Sequence, residues 1–110
     1  MAGWFELDKS VNSQYKFVLK AGNGEVILTS ELYTTKNSAE NGIASVQANC
    51  QLNERYELKD SSNGKFYFNL KAANHQVIGT SQMYASKQSR DTGIASVKSN
   101  GTTAAIKDNT

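Results

Sequence analysis

The sequence contains no proline, and only one cysteine, one histidine and one tryptophan among 110 residues. Without proline it does not read as a linker-rich or polyproline-type protein. The lone thiol, Cys50, can form neither an intramolecular disulfide nor a thiolate metal cluster, so a cytoplasmic protein is the default expectation. The lone His75 falls in a turn. No His-x-x-His, cysteine pair or zincin pattern accompanies it, so neither a metal nor a cofactor is expected. The apolar runs are only a few residues long, far short of the roughly 20 needed to cross a bilayer. The opening stretch Met1-Ala2-Gly3-Trp4-Phe5-Glu6 lacks a basic region followed by an apolar one, so no signal peptide is expected.

What remains suits one folded domain spanning 1–110, with 38% hydrophobic and 20% charged residues. The net charge of +2 is unevenly spread: residues 1–50 carry four Lys against five acids, and residues 51–110 carry eight Lys or Arg against five. A mildly basic second half permits an anionic partner without requiring one.

The chain repeats itself. Shifted by 51 positions, Phe5–Asn49 aligns with Tyr56–Asn100 without a gap, and 22 of the 45 pairs are identical. Gly42-Ile43-Ala44-Ser45-Val46 recurs as Gly93-Ile94-Ala95-Ser96-Val97. Ser30, Tyr33, Lys36 and Ser38 recur as Ser81, Tyr84, Lys87 and Ser89. Each copy, 3–50 and 54–100, reads β-β-β-α. First strands are expected at Trp4–Lys9 and Arg55–Asp60. The next pair alternates with period two, Tyr15/Phe17/Leu19 and Phe66/Phe68/Leu70 forming apolar faces. Third strands are expected at about 25–31 and 76–82, centred on β-branched Val-Ile pairs. The Asn63-Gly64 turn is expected to supply the positive φ angles of a tight hairpin.

The period then becomes helical. Thr35 and Ser86 can cap helices near 36–49 and 87–100, with Ile43, Val46 and Ile94, Val97 on their apolar stripes. Gly42 and Gly93, costly inside helices, point to a close approach by another element. The predicted fold class is therefore α+β, a single mostly antiparallel sheet of six strands with the helices packed on one face. The short connection between the copies implies a shared core and a monomer, with residues 101–110 left as a flexible tail.

Chemistry is scarce. The repeated serines have no histidine or nucleophile elbow beside them, and no phosphate-binding glycine loop exists, so no catalytic residue is assigned. Two surfaces are candidates for binding. Tyr33 with Lys36, and Tyr84 with Lys87, stand at helix starts, where backbone N–H groups welcome an anion. The plainer reading has each tyrosine packing across the junction. The sheet face opposite the helices is expected to show Trp4, Lys16, Val18, Lys20, Arg55, Tyr67, Asn69 and Lys71. Such a face suits an unidentified protein partner and, as the alternative, weak nucleic-acid binding. The expected function is a small non-enzymatic interaction module.

The motif Phe17-x-Leu-Lys-Ala-x-Asn23, Val26-Ile27, Ser30-x-x-Tyr33-x-x-Lys36, Gly42-Ile-x-Ser-Val-x-x-Asn49 and its second copy span residues 3 to about 108. It resembles the YegP-like family of small bacterial proteins. The resemblance implies a tandem fold sharing one sheet, helices exchanged onto the other copy's strands, and single-copy members that pair as dimers. It implies no enzyme activity, substrate or cofactor. The departure from repetition at Gly24, which becomes His75, alters only turn chemistry.

Overall fold

The computed structural model describes residues 3–10 and 12–110. Met1 and Ala2, which open the stretch read for a targeting signal, lie outside them. The first copy forms β1 (Trp4–Lys9), β2 (Tyr15–Lys20), β3 (Val26–Thr29) and α1 (Lys36–Asn49). The second forms β4 (Tyr56–Asp60), β5 (Phe66–Lys71), β6 (Val77–Thr80) and α2 (Lys87–Asn100), and β7 (Ile106–Asp108) follows. All the strands join one sheet in the order β4-β5-β6-β3-β2-β1-β7, antiparallel except where β7 runs parallel to β1.

The two triplets meet at their third strands, where Thr29 pairs with Thr80, its own counterpart in the other copy. An approximate two-fold axis therefore passes between equivalent residues. Two other equivalent pairs meet near it, each a larger residue against glycine. A Cβ on Gly79 would lie 2.6 Å from Leu28 Cγ, and one on Gly101 would lie 2.8 Å from Cys50 Sγ.

One face carries the core. Phe5, Leu7, Phe17, Leu19, Leu28, Phe68 and Leu70 are buried beneath Ala39, Ile43, Val46 and Val97 of the helices. A bulge in β3 and another in β6 place Ile27 and Ile78 in the same core. Each helix crosses the seam: α1 lies on β2 of its own copy and on β5 and β6 of the other, and α2 lies on β5 and reaches β2 and β3. The helices thus straddle both copies rather than exchanging outright, and equivalent asparagines fasten the crossing. Asn100 Oδ1 accepts from Gly3 N–H at 2.8 Å, and Asn49 Oδ1 accepts from Arg55 Nε at 2.9 Å, each helix end gripping the start of the opposite copy.

Three expectations are corrected. The tail read as frayed contributes β7, giving seven strands; Phe5 N–H donates to Ala105 C=O and Asn109 N–H to Leu7 C=O. Arg55 lies in a 3-10 turn, Asn53–Arg55, before β4 rather than in the strand. At the Asn63-Gly64 turn only the glycine has positive φ, 79°, while Asn63 accepts from the Ser61 hydroxyl.

Candidate functional site

Both helix starts carry side-chain caps, Thr35 Oγ1 and Ser86 Oγ accepting from the Ser38 and Ser89 N–H groups at 3.1 and 3.0 Å. The remaining motif residues serve the same junction. Ser30 Oγ accepts from Phe17 N–H at 2.9 Å and Ser81 Oγ from Phe68 N–H at 3.0 Å, extending the ladder where each third strand turns away. Tyr33 and Tyr84 then bridge to Tyr15 and Phe66 through backbone pairs. Their rings stack on Phe17 and Phe68 at 6.2 and 6.5 Å between centroids.

The tyrosines explain the helix glycines. A Cβ on Gly42 would sit 2.5 Å from Tyr33 Oη and 2.9 Å from Phe17, and one on Gly93 would sit 2.6 Å from Tyr84 Cζ. The helix can lie down on the ring only because the side chain is absent. Burial raises the Tyr33 pKa, helped by nearby Glu31, so its hydroxyl remains protonated.

The structure does not assemble Tyr33 and Lys36 into an anion site. Lys36 Nζ is held 2.6 Å from Asp108 of β7. Among the described residues Lys87 has no such neighbour, and its Nζ lies 5.9 Å from the centre of the Phe66 ring. A cleft of about 400 Å³ opens where α2 passes the first copy's β2–β3 turn, lined in part by Asn23, Glu25, Ile27, Tyr84 and Ser96. Tyr84 is the only helix-start candidate in its lining, and Glu25 is the only charged residue there. Such a lining does not favour an anion.

The opposite sheet face is uncovered by any helix, and it does gather most of its expected residues. Pairing sets Trp4 beside Lys20, Asp8 beside Lys16, and Glu57 beside Asn69. Arg55 is absent from it for the reason given above. Two residues that sequence reasoning passed over neutralise part of its basic character, pairing Lys20 and Lys71, while Lys16 and Lys59 form no ion pair among the described residues. Glu6 Oε2 accepts from Trp4 Nε1 at 2.8 Å and pairs with Lys20 Nζ at 3.0 Å. Glu57 pairs with Lys71 Nζ at 3.0 Å and accepts from Asn69 Nδ2 at 3.2 Å. These partners hold both carboxyls below the ordinary range, Trp4 ahead of Lys20 for Glu6 and Lys71 ahead of Asn69 for Glu57. A signal existed: both glutamates recur in the two copies, and hairpin register places each one diagonal to a lysine. Between the pairs lie Val18, Val26, Tyr67 and Val77, none of them buried.

Cys50 is wholly buried at the end of α1, and burial raises its thiol pKa. Among the described residues no cluster of three or more His, Cys, Asp or Glu has metal-holding geometry, and no helix is long and apolar enough to cross a membrane.

A family described as a domain of unknown function, DUF1508, matches the chain twice, over residues 10–57 and 61–108. Each match begins just before a second strand and runs past the helix, the latter reaching the end of β7. The chain is 74% identical over 110 residues to the UPF0339 protein YegP of Escherichia coli K12, covering all of both chains. A solution NMR structure of yegP from E. coli, described as a protein of unknown function, superposes with a TM-score of 0.94 at 73% identity, covering 99% of this chain and 94% of that one. A UPF0339 protein structure from Shewanella oneidensis gives a TM-score of 0.93 at 66% identity, covering 98% and 92%.

Proposed function

The chain belongs to the DUF1508 family, a domain of unknown function carried here twice, and on that premise we propose that it is a non-enzymatic module binding another protein through its uncovered sheet face. The observation that carries the reading is the chemistry of that face. Val18, Val26, Tyr67 and Val77 stand on a rigid, strand-borne surface bordered by Trp4, while the flanking Lys20 and Lys71 are already paired with Glu6 and Glu57. Apolar and aromatic groups inside a polar rim suit a protein contact. A phosphate backbone is better matched by unpaired cations than by neutralised ones.

Isotope-labelled protein titrated with single-stranded RNA and DNA, then with lysate fractions from a bacterium carrying a relative, tests this. The expected result is a protein fraction that shifts residues 16–20 and 67–71 and does so equally at low and physiological salt. Binding to the oligonucleotides that collapses as salt rises would replace the reading with the nucleic-acid alternative. Shifts confined to 33–36 and 84–87 would relocate the site to the helix starts.

A further inference from the structure

The duplication leaves one place filled in the first copy and empty in the second. β1 and β4 are equivalent strands, each pairing with the middle strand of its triplet. β1 has a further neighbour: the terminal segment lies parallel along its outer edge, pairing Phe5, Glu6 and Leu7 with Ile106, Lys107 and Asp108. There Asp108, on the helix side, reaches Lys36 at the start of α1, and Asn109 Nδ2 donates to Asp8 at 2.9 Å. Among the described residues β4 has no outer neighbour and ends the sheet. The effect on equivalent leucines is large: Leu7 is 1% exposed and Leu58 is 52% exposed.

We propose that the outer edge of β4 is a docking site for an acidic extended peptide of another protein, added as a parallel strand in the position that β7 occupies on β1. Strand addition supplies backbone hydrogen bonds for affinity, with alternate side chains giving specificity. Tyr56 N–H, the counterpart of the Phe5 N–H that β7 uses, is already donated to Asn53 C=O, so an added strand would pair through Leu58, the counterpart of the Leu7 whose C=O accepts from Asn109 N–H. Charge selects the occupant. A carboxylate placed as Asp108 is would meet Lys87, the counterpart of Lys36, which forms no ion pair with any described residue. The next position, where Asn109 meets Asp8, would face Lys59 instead. Of the nearby acids, Glu57 pairs with Lys71 and Asp91 with Arg90, while Glu54 lies in the turn before β4 and Asp60 stands one residue beyond Lys59, opposite Phe66. Two consecutive acids following an apolar and a further residue therefore fit this edge better than the chain's own tail sequence does. The site shares Lys59 with the border of the uncovered face, beside Tyr67, but its backbone pairing and Lys87 lie on the sheet edge and the helix side, so shifts at Lys87 distinguish it from binding on that face.

The probe is a ten-residue peptide copying residues 101–110, alongside a version carrying Asn109→Asp, each added to the full-length labelled protein. The expected shifts fall on 56–60 and on Lys87, with the Asn109→Asp peptide binding about threefold tighter, the scale of an exposed ion pair. Lys87→Glu in the protein weakens both peptides, and a peptide with Asp108→Lys restores binding to that variant. Shifts at 4–9 alone, showing that the peptide only displaces the protein's own tail, would overturn the proposal. So would equal binding by Lys87→Glu, silence at 56–60 with both peptides, or a free protein that dimerises through β4.

Discussion

Gly42 and Gly93 show how one residue can depend on another nine positions earlier. Replacing Gly42 with alanine forces a Cβ against Tyr33 and Phe17, and overpacking of this kind costs about 1–3 kcal/mol. The nearest obstacle is the Tyr33 hydroxyl, so Tyr33→Phe in the same chain should recover part of that loss in urea unfolding. Equal stability of the single and double variants would show that the helix relieves the contact by moving. His75 takes φ 69° where its counterpart Gly24 takes 85°, so His75→Gly should stabilise by up to about 1 kcal/mol in the same measurement. The sequence announced the unusual glycines, since a costly residue appeared twice in one register. It could not name what lay against them, because a strand-end tyrosine meets a helix only after both have docked on the sheet.

Among the elements, β7 has the most conditional attachment. Asp108 is held well below the usual carboxylate range, first by the Lys36 ammonium and then by Thr110. A depressed carboxyl contributes stability that is complete above its unfolded pKa and is lost as pH falls through the folded one. Attachment of β7 should thus be constant at neutral pH and weaken from about pH 4 downward. Amide exchange at Asn109, whose N–H donates to Leu7 C=O, reads this directly. Asp108→Asn should speed exchange at neutral pH and flatten its acid dependence, and an unchanged profile would assign the attachment to backbone pairing alone. The six other strands and both helices were legible from alternation, turn residues and caps. The seventh was not, because a three-residue strand has little period to read and parallel pairing leaves no hairpin turn beside it. The 51-residue repeat, which clarified everything else, places Ile106–Asp108 opposite the start of β4, and that strand pairs differently.

Across the whole molecule, each helix covers strands of both copies, so neither copy encloses a core by itself. Unfolding should be a single transition by circular dichroism and by tyrosine fluorescence. Phe17→Ala and Phe68→Ala should each cost about 3–5 kcal/mol and lower one common midpoint, both rings being fully buried. Two separated transitions would show that the copies fold independently. The incomplete half-cores and the short connection predicted a shared core, and the family resemblance supplied the shared sheet and helices reaching onto the other copy, which the structure shows as helices straddling both. The strand order at the seam was beyond either, since it rests on the single pair Thr29–Thr80 and on the filling of space around it.

That filling has a consequence for assembly. Where the axis brings equivalent positions together, Leu28 lies over Gly79 and Cys50 over Gly101. A first half meeting another first half would set leucine against leucine, and two second halves would leave a void between glycines. Only unlike halves fit. The two positions thus act as a steric key, in which bulk on one half needs the hollow on the other and like halves cannot close the seam.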